Sequence, residues 1–87
     1  MRRRAFRITG RVQGVGFRYF VARLGRSLGL AGAVRNEPDG AVVAIVADAD
    51  EETLESFGAG LTRGPGGARV EAVTPVAADD GPWDLTF

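Results

Sequence analysis

The chain has 87 residues and contains no cysteine, no histidine and no lysine. These absences exclude disulfides, thiol nucleophiles, histidine triads, imidazole or thiolate metal sites, Walker A loops and Schiff bases. With 45% hydrophobic and 25% charged residues, we expect one globular domain over residues 1–87 with a single core. An enzyme of this composition has to work with arginine, carboxylates, amides, hydroxyls and the backbone.

The formal net charge is zero, but the charges are unevenly distributed along the chain. Nine of the eleven arginines lie in residues 1–35, which hold no acid, and residues 36–87 hold all eleven acids. Such a basic half can bind nucleic acid. We favour the alternative that the two halves neutralise each other within the fold.

We expect no targeting segment in the first residues. Arg7 and Arg11 interrupt the apolar residues that follow the N-terminal arginines, which excludes a secretory signal. No stretch approaches the length of a membrane span. We therefore expect a cytoplasmic protein without a membrane or nucleic-acid partner.

The first predicted unit is a strand, a glycine loop and a helix. Residues 4–13 alternate between apolar and polar, which is typical of a half-buried strand. Glycines in the loop at 14–16 break this pattern. Apolar residues then recur at helical spacing over 17–28 until Gly29, which predicts a helix that ends there.

Two further strands follow in the middle of the chain. Residues 30–36 form a short second strand, and the turn formers of 37–40 lead into a third at 41–47. The third strand is apolar on both faces, so we place it centrally in the sheet. If one of its faces is uncovered, Val43 and Ile45 become a contact patch.

The last part of the chain predicts a second helix and two strands. Asp50 is a good N-cap, acids follow in the first turn, and the helical pattern ends at Arg63 and Gly64. Residues 68–76 have the pattern of a fourth strand. A short fifth strand is predicted at the C-terminus from the alternation of Trp83, Leu85 and Phe87.

The order of elements predicts the fold class. Strand, helix, strand, strand, helix, strand is the order of a ferredoxin-like, split β-α-β sandwich of the α+β class. We expect an antiparallel sheet of four to five strands covered on one face by two helices. Because this fold supports many functions, the function has to be argued from a site.

The segment 10–18, G-R-V-Q-G-V-G-F-R, joins the first strand to the first helix. Unpaired N–H groups and the helix dipole make such a junction an anion site. A dinucleotide fingerprint needs glycine or alanine where Tyr19 stands, and a Walker A loop needs lysine. Arg18 opens a helix without acids, which is unfavourable unless an anion binds. We therefore predict a phosphate site; the alternative is a plain turn with a surface arginine.

Asn36 is the second candidate site residue. It ends the second strand, which runs parallel to the first strand in this fold, so it lies at the same sheet edge as the loop. With one strand between them, the two backbones are expected about 10 Å apart. This gap has room for a phosphate and a water, although asparagine is also a common turn residue.

Two segments of the chain match the signatures of a known family. The first signature is matched by Ile8, Gly10, Val12, Gln13, Gly14, Val15, Phe17 and Arg18. The second is matched in part by Gly32, Val34, Arg35, Asn36, Gly40 and Val42. Further matches occur at Gly64, Pro65, Ala68, Arg69 and Val70. The chain therefore resembles the acylphosphatase family over nearly its whole length. It departs at Ala33, where the family usually has an aromatic residue, and at Asp48, where it usually has glycine.

The resemblance implies hydrolysis of acyl phosphates to carboxylate and inorganic phosphate, with no cofactor and no metal. It implies that Arg18 binds the phosphoryl group and that Asn36 positions the attacking water. Backbone amides of the loop are implied to help bind the phosphoryl group, and they belong to Gln13, Gly14, Val15, Gly16, Phe17 and Arg18. We expect a monomer whose partners are a small-molecule acyl phosphate and the phosphate product.

This chemistry suits the composition, because a carboxylate leaves without a general acid and phosphoryl transfer needs mainly positioning and charge stabilisation. We predict direct in-line attack without a covalent phosphoenzyme. One alternative is a non-catalytic ferredoxin-like module that binds anions or RNA, but the predicted central strands lack the exposed aromatics on which RNA bases stack. Another is a carbamoyl-phosphate-handling domain of hydrogenase-maturation proteins, which the length of the chain disfavours.

Overall fold

The computed structural model describes residues 2–87. Its helices and strands, in chain order, are β1 (Arg3–Arg11), α1 (Phe17–Ser27), β2 (Ala31–Asn36), β3 (Val42–Ala47), α2 (Glu51–Arg63) and β4 (Arg69–Val76). Each of these elements was predicted from the sequence, and the predicted ends differ from the observed ends by two residues at most. Neither helix within residues 2–87 has the length and hydropathy that a bilayer crossing requires.

The four strands form one antiparallel sheet in the order β2-β3-β1-β4. β3 pairs with β1 from Ala47 to Val42 and with β2 over the same residues. Because β1 and β2 are both antiparallel to β3, they run parallel to each other, as expected. All six residues of β3 are buried, which explains why both of its faces are apolar. The predicted ferredoxin-like α+β fold is confirmed.

Both helices pack on one face of this sheet. The core between them includes the aromatic pair Phe6 and Phe57, whose ring centroids are 6.0 Å apart. Removal of apolar side chains from water is the main favourable term here. The largest fully buried side chains are Phe17, Phe57, Ile8, Ile45, Leu61, Val12, Val21, Val42 and Val46.

The two helices begin differently. The Asp50 carboxylate accepts a hydrogen bond of 2.7 Å from the N–H of Thr53, as an N-cap does, and two acids occupy the first turn of α2. α1 has Gly16 at its N-cap, with no side-chain cap and no acid in its first turn. The N-terminus of α1 is therefore left open to an external anion.

The predicted fifth strand is wrong, because residues 77–87 form no strand. The tail leaves β4 and crosses the sheet face opposite the helices. Arg3 on β1 donates hydrogen bonds to the carbonyl oxygens of Asp79 and Gly81, at 3.2 and 2.8 Å. Trp83 then lies beside β2, where the Arg35 guanidinium stands 4.2 Å from the centre of its ring. The alternating apolar residues of the tail are thus held by side-chain contacts, not by a strand ladder.

Phe87 ends the tail on the helical side of the sheet. Its ring packs 6.1 Å from the ring of Phe57, measured between centroids. Gly25 of α1 and Gly32 of β2 make room for it, since a Cβ atom at either glycine would overlap the Phe87 ring. Arg26 also donates a hydrogen bond to the backbone oxygen of Phe87.

The expected contact patch on β3 is wrong as well. Val43 is 9% exposed and Ile45 is 1% exposed. Both lie on the sheet face that the tail crosses, where Arg7 and Arg35 are the register partners of Val43. The tail and these two arginine side chains cover β3 on this face.

The two departures from the family signatures lie away from the glycine loop that joins β1 to α1. Ala33 lies on β2 and lines a groove together with Trp83 of the tail. Asp48 follows β3 with a φ of 55°, the left-handed conformation that favours glycine. Its carboxylate accepts a hydrogen bond of 2.9 Å from the backbone N–H of Arg2, which ties it to the start of the chain.

The basic first part of the chain is partly neutralised by the acidic remainder. Four of the nine arginines in residues 1–35 form ion pairs, which are Arg2 and Arg4 with Glu51, Arg7 with Asp39, and Arg35 with Glu37. Exposed pairs of this kind add little stability. They do support the expectation that the two halves compensate each other's charge within the fold.

Candidate active site

The strand that leads into the loop between β1 and α1 carries an irregularity near its end. The pairing of β1 with β4 shifts register between Thr9 and Gly10. Gly10 has a φ of 119°, and a Cβ atom there would overlap the carbonyl oxygen of Arg69. Such a bulge bends the strand locally, and two more pairs, Gly10 with Val70 and Arg11 with Arg69, follow it before β1 ends and the chain enters the loop.

Two glycines shape the loop itself. Gly14 and Gly16 have φ angles of 75° and 76°, in the left-handed region. Nothing lies within 4 Å of a Cβ atom built at either residue, so glycine is favoured here by backbone conformation and not by crowding. Left-handed residues in such a turn direct successive N–H groups to one side, which creates an anion-binding concavity.

The N–H groups of residues 13–19 have no acceptor within residues 2–87. The first internal hydrogen bond of the helix runs from the N–H of Phe20 to the carbonyl oxygen of Gly16, at 3.0 Å. The positive end of the α1 dipole lies at the same place. Loop and helix together therefore present a row of free donors to an anion.

These donors surround a concavity of about 230 Å³. Its lining residues are Val12, Gly14, Gly16, Phe17, Arg18, Tyr19 and Asn36. The structure thus brings together five of the seven predicted site residues. Four come from the loop and the start of α1, and the fifth, Asn36, comes from the end of β2. A water takes up about 30 Å³ in the liquid, so the concavity has room for a phosphoryl group and for a water.

Arg18 lies in the first turn of α1 and is exposed. Its guanidinium makes no ion pair or hydrogen bond with any described residue. No acid occurs in α1 to offset its charge at the positive end of the helix. The group is thus free to form a bidentate pair with a bound anion.

Asn36 is the last residue of β2, where it pairs with Val42. It shares a strand face with Val34, which packs against the core beneath the helices. Its side chain is exposed and makes no hydrogen bond within the described part of the chain. The turn that follows is held instead by Asp39, whose carboxylate accepts a hydrogen bond of 3.1 Å from the N–H of Ala41. Asn36 is therefore not needed as a turn residue.

Gln13 and Val15 do not line the concavity. Val15 is half-buried and packs against the core. The half-buried Gln13 side chain donates hydrogen bonds of 2.8 and 2.9 Å to the carbonyl oxygens of Glu37 and Ala41. The loop is thus attached to the turn between β2 and β3. The sequence holds no signal for this contact, because the partners are 24 and 28 residues away.

Besides the buried Val12, the lining residue that the sequence analysis did not propose is Tyr19. It follows Arg18 on α1 and stands at the rim of the concavity. Its exposed fraction is 67%, which is high for an aromatic side chain. Its position next to Arg18 in the first turn of the helix was the available signal.

Comparisons with known proteins agree with this geometry. A family model described as Acylphosphatase matches residues 4–82. The chain is 44% identical over 89 residues to the acylphosphatase of Nitratidesulfovibrio vulgaris (strain DP4), an alignment that covers 100% of this chain and 88% of the relative.

Solved structures show the same similarity. The crystal structure of acylphosphatase from Bacillus subtilis has a TM-score of 0.77 and 36% identity, covering 91% of this chain and 89% of that one. Full-length HypF, crystallised in its phosphate- and nucleotide-bound form, has a TM-score of 0.68 and 27% identity, covering 91% of this chain but 11% of that protein. Because the family model and the relatives match most of its length, the chain belongs to the acylphosphatase family.

Proposed function

We propose that Arg18, the loop amides and Asn36 carry out the acyl phosphate hydrolysis that membership of the acylphosphatase family assigns to this enzyme. The observation that supports this proposal is that these groups line one concavity. A guanidinium without a partner, a row of free N–H groups and an unbonded asparagine amide all meet there.

The phosphoryl group binds between the loop and Arg18. Its oxygens accept hydrogen bonds from the free N–H groups at the start of α1, and the guanidinium pairs with two of them. In the transition state the charge is spread over the three equatorial oxygens. Donors that are already oriented stabilise that charge without reorganisation, which is usually the largest contribution to catalysis.

Asn36 orients the attacking water. A side-chain amide offers one acceptor and two donors, so it can hold a water without changing its own charge. Its place at the end of a paired strand restricts its motion more than a loop position would. The water then attacks phosphorus in line with the bond to the acyl oxygen, and this bond breaks.

The leaving group is a carboxylate, which departs without a proton from the enzyme. The reaction therefore needs no histidine or cysteine, and the chain has neither. We propose that water attacks directly, that no phosphoenzyme forms and that no metal takes part. We also propose that the chain acts as a monomer, because the groups that the mechanism uses, Arg18, the loop amides and Asn36, already meet in a single copy.

Hydrolysis of benzoyl phosphate in the presence of EDTA tests the proposal. We expect turnover well above the spontaneous rate, and much slower hydrolysis of p-nitrophenyl phosphate, which is an ester. Arg18→Ala protein purified in the same way controls for contaminating phosphatases. Turnover at the spontaneous rate would overturn the proposed function, and turnover that requires added metal would overturn its metal-free mechanism.

A further inference from the structure

The rim of the phosphate concavity carries a side chain that the hydrolysis mechanism does not use. Tyr19 lines the concavity and is 67% exposed. Water-exposed aromatic surface beside a ligand site is often contact area for the ligand. Because the phosphoryl group of a bound substrate lies against the loop, its acyl group extends outward past Tyr19 at this rim.

Arg23 lies one helical turn after Tyr19 on the same face of α1. Its guanidinium is 5.8 Å from the centre of the Tyr19 ring, within the range of a cation–π interaction. It forms no ion pair within residues 2–87. The tyrosine ring thus holds a free positive charge beside the path of the acyl group.

Arg23 itself lines a second concavity, of about 240 Å³. Its lining residues are Phe20, Arg23, Leu24, Ser27 and Arg63. It therefore presents two guanidinium groups and no carboxylate. The Arg63 guanidinium also has no ion-pair partner in the described part of the chain. Arg26 of α1 is not available in the same way, because it donates a hydrogen bond to the backbone oxygen of Phe87.

We propose that Arg23, held across the Tyr19 ring, is a specificity-determining residue that favours acyl phosphates with a second negative charge on the acyl group. This inference rests on the proposed function, since the phosphoryl end has to bind at Arg18. Arg23 follows Arg18 by five residues, which is about 7.5 Å along the helix axis and about 140° around it, and Tyr19 lies between the two on the helix surface. An acyl group that extends across the Tyr19 ring places a distal carboxylate or phosphate beside the guanidinium.

Two substrates of the same shape test the proposal. 4-Carboxybenzoyl phosphate carries a distal charge, and 4-carbamoylbenzoyl phosphate replaces that carboxylate with a neutral amide. The measured quantity is the ratio of their kcat/KM values for each enzyme variant. Any difference in intrinsic reactivity between the substrates is the same for every variant, so it cancels when the variants are compared.

We expect Arg23→Gln to lower this ratio about threefold to fivefold at low salt, the size of an exposed charge interaction. The wild-type ratio should also fall as salt is raised from about 0.01 M to 1 M, because the charges become screened. Tyr19→Leu should lower the ratio by removing the ring that holds Arg23, whereas Tyr19→Phe should keep it.

Arg2→Gln is the matched control. It removes one arginine charge before the start of β1, on the order of 30 Å of strand away from the loop, and should leave the ratio unchanged. The same ratio in Arg23→Gln as in the wild type would overturn the inference while the proposed function stands. Failure of the wild type to hydrolyse either substrate would overturn the proposed function.

Discussion

The side-chain amide of Gln13 donates a hydrogen bond of 2.8 Å to the carbonyl oxygen of Glu37, the residue that follows Asn36. A second bond, of 2.9 Å, reaches the carbonyl oxygen of Ala41. Through these bonds the phosphate loop and the end of β2 are held at a defined separation. The proposed mechanism depends on this separation, because the phosphoryl group binds to the loop while the water is held by Asn36.

Gln13→Ala should therefore reduce both stability and turnover. Each net hydrogen bond contributes about 1 kcal/mol, so urea unfolding should show a loss of about 1–2 kcal/mol. We expect kcat for benzoyl phosphate to fall about tenfold or more, because small displacements of reacting groups are costly. The inhibition constant of inorganic phosphate should change much less.

Gln13→Glu is the informative companion variant. A carboxylate at this position would face two carbonyl oxygens, which also accept hydrogen bonds, so at neutral pH it should be more damaging than alanine. Normal kcat in both variants would contradict the idea that this contact positions the site.

Arg18→Ala should weaken phosphate binding and also slow turnover, because the guanidinium contacts the transferred group in both the bound state and the transition state. Arg18→Lys should fall between the wild type and Arg18→Ala, since it keeps the charge but loses the bidentate pair. Steady-state kinetics with inorganic phosphate as a competitive inhibitor measure both effects. Unchanged phosphate affinity in Arg18→Ala would contradict the role that we assign to this residue.

Asn36→Ala should separate turnover from binding. Losing one oriented polar group at a reacting centre costs roughly 100-fold or more in kcat, while the phosphate inhibition constant should stay near its wild-type value. Asn36→Asp should bind phosphate more weakly than Asn36→Ala, because its carboxylate repels the anion. Turnover near normal in Asn36→Ala would show that the water is held by another group.

Asp79 makes the position of the tail dependent on pH. The hydrogen bond from Trp83 Nε1, at 2.7 Å, lowers the pKa of the Asp79 carboxyl, and the N–H of Gly81 and the charges of Arg35 and Arg3 lower it further. Because this pKa is lower in the folded than in the unfolded state, the contact stabilises the fold above the unfolded pKa. That stabilisation is lost as pH falls through the folded pKa.

Trp83 is the one tryptophan of the chain, so its fluorescence reports on this contact. We expect a fluorescence transition with a midpoint below the ordinary range of aspartate. Asp79→Asn should abolish this transition, whereas Asp80→Asn, at a neighbouring carboxylate without a bond to Trp83, should retain it. The same titration in Asp79→Asn and in the wild type would contradict the assignment.

The helices and the four strands were predictable because their signals are local. Apolar residues repeat with the period of a strand or a helix, and residues such as Asp50 and Gly64 mark where α2 begins and ends. The tail was mispredicted because its alternation resembles that of a strand. Its actual partners are Arg3 and Arg35, which are far away in the sequence.

The chain by itself determined the ferredoxin-like fold, the glycine loop and the candidates Arg18 and Asn36, because backbone conformation and hydrophobic periodicity depend on neighbouring residues. The tertiary structure decided which of these side chains remain without a partner. It also placed Gln13 in a bridging position and put Tyr19 at the rim of the site, with Arg23 beside the Tyr19 ring. These features depend on contacts between residues distant in sequence, whose geometry exists once the sheet and helices have packed together.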